Sequence, residues 1–526
     1  MPPVIVVGAG VGGLAAAVAL AAQGRQVLVL ERDSAPGGKL RPVHIGGQAL
    51  DAGPTVMTMR DVFDNLFALA GERLDDHLQL TPLRTLARHA WPDGSRFDLH
   101  ADRAATLDAI GRFSGAAAAR QYAQFCQRSK SVYDTLNQPY LRRSRPNPVS
   151  LAWRCAQGGL AQWLALSRIA PFQTLWRELG RQFSDPRLRQ LFARYATYGG
   201  SSPLAAPATL MLIAHVEQAG VWSVQGGMHQ LANALAALAQ RLGVVLRCGQ
   251  QVARVLLHQG RAAGVQLLGA DGQPGETLAA SAVVFNGDAQ ALPAGLLGDA
   301  VQHAVPARPV ASRSLSALTW NLLAPARGFP LLRHTVFFSG DYPLEFAELF
   351  GQRRLPSEPT VYICAQDRAD DALPDDGRPE RLLCLVNAPA LTSFSGDQGG
   401  PTEQETSACE QRTFAHLARL GLQLSPSSPG RLRHSPLHWA QRFAATGGAL
   451  YGQATHGWMA SFNRPAAATA VPGLVLAGGS THPGAGVPMA ALSGLLAAQQ
   501  VLLQQPGRTS TAPWRPAAMP GGTSTR

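Results

Sequence analysis

Lysine is nearly missing from this chain. Only Lys39 and Lys130 stand among 46 basic residues, and the rest are arginine. With abundant alanine and glycine, that is the skew codon bias produces, so the net charge of +12 alone says little about partners. Cysteine is also sparse. The six residues, at 126, 155, 248, 364, 384 and 409, are scattered and include no C-x-x-C. This argues against zinc and a disulfide scaffold, predicts no metal site, and suits a reducing cytoplasm. Charged residues make up 15% and hydrophobic ones 46%, which excludes a disordered chain. Beyond the N-terminal segment, no stretch reaches about 18 uninterrupted apolar residues, so no membrane span is expected. The N-terminal segment is apolar and Ala-rich, but it has no basic start and is cut by four glycines. A signal peptide is therefore not expected. There is no internal repeat and no nucleic-acid reading module, so nucleic acid is not an expected partner. The 526 residues suffice for two or three domains.

What is present starts at once. Val4-Ile5-Val6-Val7 reads as a buried strand, and Gly8, Gly10 and Gly13 fit G-x-G-x-x-G. An Ala/Leu-rich helix runs to Gln23, Gly24 stops it, and Val27-Leu28-Val29-Leu30 forms a second parallel strand closed by Glu31. This is a dinucleotide fingerprint in its required βαβ context. Gly8 makes the tight turn, Gly10 lets backbone approach a pyrophosphate, and Gly13 packs helix on strand. The pyrophosphate sits on the helix N-terminus. Glu31 is placed to bind a ribose 2′-hydroxyl and would repel a 2′-phosphate. Gly37-Gly38 then makes a flexible turn, with Lys39 and Arg41 putting positive charge beside the phosphate loop.

Thr55 or Thr58 could cap a helix whose Met59, Phe63, Leu66, Phe67 and Ala70 share one face. Residues 75 to 100 read as short strands, with Trp91 to Ser95 a hairpin tip. From 104 to 215 the pattern is helical. Residues 141 to 200 hold ten arginines against Glu178 and Asp185, interleaved with Trp153, Trp163, Trp176, Phe172, Phe183 and Phe192. Two readings fit: helices on an anionic membrane surface, or a solvated basic face over core aromatics. A β-meander is expected over 252–268, and Ala282–Phe285 is a buried strand ending at Asn286-Gly287-Asp288. Strands at 319–322, 335–338, 360–363 and 382–386 should form a second sheet, with the Asp-rich 367–376 segment a solvated loop. The last buried strand, Leu474–Ala477, meets the Gly-rich turn 478–488 and a small-residue helix. Residues 505–526, rich in Pro, Gly, Ser and Thr, are expected to be disordered.

An N-terminal fingerprint paired with a C-terminal strand, Gly-rich turn and helix is a specific combination. Gly8 to Leu14, Glu31 to Leu40, Leu50 to Val56, Gly226-Gly227-Met228 and Ser480 to Gly486 resemble the phytoene-desaturase-type bacterial carotenoid desaturases, within the amine-oxidase-like flavoproteins. Val487 to Gly494 and Tyr451 to Trp458 look closest to the 1-hydroxy- and methoxycarotenoid 3,4-desaturases of phototrophic purple bacteria. The resemblance implies an α/β, two-dinucleotide-binding-domain fold. A Rossmann-type FAD domain over 1–100, 220–300 and 466–504 would be joined by a helical membrane-facing region over 101–219. A mixed-sheet substrate domain would occupy 301–465. It implies FAD, an acyclic carotenoid substrate, and a peripheral enzyme on the cytoplasmic side of the bacterial inner, photosynthetic membrane. Quinone or oxygen would accept the electrons. By position, Gly8, Gly10, Gly13 and Glu31 would hold the ADP half, and Lys39, Leu40 and Thr55 the pyrophosphate and flavin. Val252 would meet the adenine end through its backbone, while Gly479, Val487, Pro488 and Met489 would line the flavin. Many flavoproteins carry an Asp after the last strand's glycine to bind the ribityl chain. This chain has Gly478-Gly479-Ser480 there, and Asp288 is the acid that follows another strand.

For such a substrate, hydride loss from C4 to the flavin leaves a cation delocalised along the polyene. The C3 proton becomes acidic, and a weak base or water suffices. His482 is the candidate for a polar catalytic role, ahead of His456, His215 and His229. The apolar 104–215 and 310–450 regions should form a tunnel, with a polar partner for the C1 hydroxyl at its blind end that the sequence does not identify. Three rivals are carried: phytoene or neurosporene desaturation or isomerisation, an amine oxidase with Tyr451 and Trp458 as its aromatic cage, and a flavin-free prenyl-binding escort protein.

Overall fold

A computed structural model describes residues 1–157, 159, 169, 172–369, 377–393, 399–424 and 430–504. The expected tail 505–526, Trp163, Arg168 and residues 370–376 of the acidic loop lie outside the described residues. The nucleotide sheet has five parallel strands in the order Leu474–Leu476, Ala282–Phe285, Val4–Val7, Val27–Leu30 and Val245–Arg247. Its inner strands are hydrophobic at nearly every position because both faces are covered. Val4, Val6, Val27, Val29 and Val284 point into a core shared with helices Val11–Ala21, His229–Arg241 and Val487–Gln504. Ile5, Leu28, Leu30, Val283 and Phe285 point the other way, into a core shared with the antiparallel meander 252–279.

The first helix is buried over ten of its eleven residues, so it is apolar all round rather than amphipathic. Its small residues let the last helix pack closely: a Cβ on Gly494 would lie 2.1 Å from the Gly12 carbonyl oxygen. That last helix, Val487–Gln504, is long and apolar enough by composition to cross a membrane, which the sequence reading did not expect. Half of it is buried, and its inner face belongs to the nucleotide core.

The second sheet has seven strands, in the order Arg431–His434, Ser316–Ala324, Glu380–Ala388, Val361–Ala365, His334–Phe337, Thr85–Ala90 and Arg96–His100. Residues 85–100 were expected with the nucleotide domain, but they form the edge of this sheet. The reason is pairing: Thr85–Ala90 runs parallel beside His334–Phe337, with Val336 opposite His89. The Trp91–Ser95 hairpin tip links Thr85–Ala90 to Arg96–His100, as read from the sequence. Against the second sheet packs the helical region, led by Arg103–Leu136, whose N-cap Asp102 accepts from the Ala105 amide at 2.7 Å. Its aromatic core joins Tyr122, Phe125, Phe183 and Phe192 to Phe338 and Phe346 of the second domain.

Candidate active site

The nucleotide end is built of main chain. Gly8 leaves its strand at φ +100, a conformation that costs glycine little. Gly10 is the N-cap of the first helix and offers no side-chain cap, so the leading N–H groups are left to an anion. A Cβ on Gly13 would lie 2.1 Å from the Gly8 carbonyl oxygen, which fixes helix against strand. Glu31 is buried, and its carboxylate accepts from the amides of Ala9 at 2.6 Å and Asp33 at 2.9 Å. The acid is thereby held beside the glycine loop. The Gly37 amide donates to the Ala9 carbonyl at 2.9 Å, so the second glycine turn lies directly on the first.

Lys39 follows that turn. Its Nζ donates to the Leu450 carbonyl and stands 5.3 Å from the centre of the Phe443 ring. Burial lowers its pKa to about 8, with Asp288 opposing that shift. Asp288 lies across the cavity wall. Its carboxylate accepts from Arg313 Nη1 at 3.1 Å and from the Gln290 amide at 2.9 Å, and both side chains of the ion pair are buried. Where the missing Asp would stand, Ser480 Oγ accepts from the Ala289 amide at 3.0 Å.

These groups open onto one cavity of about 870 Å³, which runs from the glycine loop to the helical region. Of the residues named from the sequence as cofactor-binding or catalytic, all but Gly13 and the histidines 482, 456, 215 and 229 line it. Gly13 acts through packing. His482 is 2% exposed, and its Nε2–H donates to the carbonyls of Tyr140 (2.9 Å) and Arg143 (3.0 Å). Its ring stands edge-on to Tyr140, and burial lowers its pKa to about 4. It is a neutral clamp tying the turn 478–488 to the helical region, not a group facing the cavity. His456 is similarly engaged, accepting from the Ser202 amide at 2.9 Å, and His229 Nδ1 lies 3.1 Å from Asp51.

Three site residues were not recognised from the sequence. Asn286 follows the strand Ala282–Phe285 and donates from Nδ2 to the Gly8 carbonyl at 3.1 Å. It is threaded between both glycine turns: a Cβ on Gly10 would come within 3.0 Å of its Nδ2, and one on Gly478 within 2.9 Å of its Oδ1. Arg464 is buried and donates to the carbonyls of Tyr451, Gln453 and Gly479 at 2.8–3.1 Å, pinning the flavin-side turn. Tyr362, on the second sheet, bonds Thr55 Oγ1 at 2.7 Å and His334 Nδ1 at 2.8 Å. The strand-ending Asn286-Gly287-Asp288 was a visible signal. The arginine and the tyrosine carried none.

The glycine cradle, the uncapped helix and the acid at the second strand's end fit a dinucleotide-type flavin. Comparison with known proteins agrees. The family model of flavin-containing amine oxidoreductases matches residues 11–502. A hydroxyneurosporene desaturase of Rubrivivax gelatinosus is 50% identical, over 99% of this chain and 97% of that protein. A phytoene dehydrogenase of Streptomyces griseus is 32% identical, over 99% of this chain and 98% of that protein. Among solved structures, an oxidoreductase from Methanosarcina mazei shares the fold with a TM-score of 0.55 at 16% identity, covering 94% of this chain and 100% of its own. The chain thus belongs to the flavin-containing amine oxidoreductases and, within them, to the phytoene-desaturase-type carotenoid desaturases.

Proposed function

We propose that this protein binds FAD and removes two hydrogens from C3 and C4 of an acyclic carotenoid carrying a hydroxyl or methoxy group at C1. The observation that carries the reading is the single cavity joining the nucleotide cradle to an apolar wall of Leu136, Leu151, Leu212, Ile213 and Val216. FAD is favoured by Glu31, which lies where an adenosine ribose would be held. The hydroxylated substrate is favoured by the higher identity to the Rubrivivax relative than to the phytoene dehydrogenase. Bound flavin supplies the hydride acceptor. The chain's own part is to hold the polyene dry against that acceptor, with Val487 to Met489 at the head of the last helix forming one wall. Against the amine-oxidase rival, Trp458 is engaged edge-on by Phe172 at 5.2 Å.

The protein would draw its substrate from the cytoplasmic face of the inner membrane. Val149 (79% exposed) and Trp153 (63%) project from the helix Pro148–Ala156 that also carries Arg154, and Phe172 (74%) packs edge-on against the exposed Trp458. Apolar tips beside an arginine suit the interface of an anionic bilayer. Quinone or oxygen would take the electrons onward. The test is purified protein with FAD and liposomes carrying 1-hydroxyneurosporene. A product lacking two hydrogens, with red-shifted absorption, is expected. Turnover only of phytoene or neurosporene would overturn the substrate. Absence of both flavin and product would favour a lipid-binding protein.

A further inference from the structure

Where the helical region 101–219 lines the cavity, Arg194 and Glu217 are its charged side chains among the described residues. The Arg194 side chain donates from Nη1 to the Tyr198 hydroxyl at 3.0 Å, its one side-chain hydrogen bond among the described residues. Its guanidinium lies 5.2 Å from the ring centres of both Tyr198 and Tyr362. The Tyr198 hydroxyl donates to Glu217 Oε1 at 2.8 Å, and Tyr195 donates to Oε2 at 2.6 Å. Arg194, Tyr198 and Glu217 all line the cavity. Through Tyr362 the cluster continues to Thr55, on the flavin side. A guanidinium carries five N–H donors, and a carboxylate accepts at about four positions. These contacts leave donors and acceptors over, on a stretch of wall shared with Leu136, Leu151, Leu212, Ile213 and Val216.

We infer that Arg194, Tyr198 and Glu217 form the subsite for the tertiary alcohol at C1 of the substrate, resting on the function proposed above. The alcohol oxygen accepts from Arg194 and its hydrogen goes to Glu217. Distance supports this place. The C1 oxygen is separated from C3 by only two carbons, roughly 4 Å at ordinary bond lengths, so its partner must stand close to the reacting bond. A remote end of the tunnel could not serve. A methoxy oxygen keeps the Arg194 contact and loses the one to Glu217, so the subsite ranks hydroxyl above methoxyl and both above a plain hydrocarbon end. A hydrocarbon leaves buried donors without partners, which is the strongest form of discrimination by a pocket.

The test compares wild type, Arg194→Met and Tyr198→Phe on 1-hydroxyneurosporene and on neurosporene. It also measures flavin content and carotenoid binding to the oxidised holoenzyme by visible absorption. Arg194→Met should cut the ratio of kcat/KM for the hydroxylated over the plain substrate by about 100-fold, and Tyr198→Phe by about tenfold. The loss should fall on the hydroxylated substrate alone, with weaker binding of that substrate and unchanged flavin. Equal losses on both substrates, or an unchanged ratio, would overturn the subsite. A wild type that turns over neurosporene and not its hydroxylated form would instead overturn the proposed function itself.

Discussion

The two ends of the cavity are built differently. The nucleotide end is main chain: Gly8, Gly10 and Gly37 bring backbone against backbone, and Glu31 bonds two amides. The substrate end is side chain: Arg194, Glu217 and Tyr362 come from three separate elements and meet only in the fold. A backbone site tolerates no added atoms but accepts any sequence with glycine at the right spacing. A side-chain site tolerates repacking and depends on which groups arrive. The first kind is a local motif, and the second is a property of the whole fold.

Substitutions can break or sharpen this contrast. The largest effect is expected from Gly13→Val, whose Cβ would meet the Gly8 carbonyl oxygen at 2.1 Å. Flavin should be lost and soluble protein should fall away, whereas Ile213→Ala on the polyene wall should keep stoichiometric flavin. The ratio of flavin to protein absorbance measures both. Arg313→Met should come next, because it leaves the Asp288 carboxylate buried without its partner. Losses of that kind are about 3–5 kcal/mol, read by denaturant unfolding.

His482 tests whether the substrate end has a catalytic histidine. His482→Phe should lower stability by about 1–3 kcal/mol by orphaning two carbonyls, while turnover per bound flavin stays within about twofold. A large fall in turnover at unchanged stability would restore the catalytic role. Its pH behaviour has a definite sign. Burial holds the folded pKa near 4, below the ordinary 6.5, so the unfolded chain takes up a proton that the folded one refuses. The stability this neutral ring contributes is present above pH 6.5 and lost as pH falls towards 4. His482→Phe should flatten that window in a pH series of unfolding midpoints.

The smallest effect concerns Lys39. With its pKa lowered to about 8, it carries charge at pH 7 and loses most of it by pH 9. Flavin affinity, measured by fluorescence titration of apoprotein, should weaken a few-fold over that span, roughly the value of one partly screened charge contact. Lys39→Met should bind less tightly at pH 7 and show no such dependence. A pH dependence that persists in the variant would assign it elsewhere.

The sequence carried much of the nucleotide site because its parts repeat a known geometry over short spans. Val4–Val7, the glycines and Glu31 lie within thirty-one residues. Asn286 escaped because its partners are Gly8 and Gly478, far away on both sides in sequence. The misplaced edge strands 85–100 show the same limit. Their alternation reads as strand, but nothing local says which sheet they join, and His334–Phe337 decides it. His482 looked exposed to chemistry because it sits in a glycine-rich turn. The carbonyls that hold it belong to Tyr140 and Arg143.

By itself the sequence determined the βαβ unit, the glycine turns, four of the second sheet's seven strands and the family. These rest on periodicity and on backbone conformations that only certain residues adopt. The tertiary structure decided which polar groups share the apolar cavity, and which buried histidine, arginine or acid is a clamp. Those outcomes depend on distances between elements hundreds of residues apart, set by the packing of whole helices and sheets rather than by local spacing.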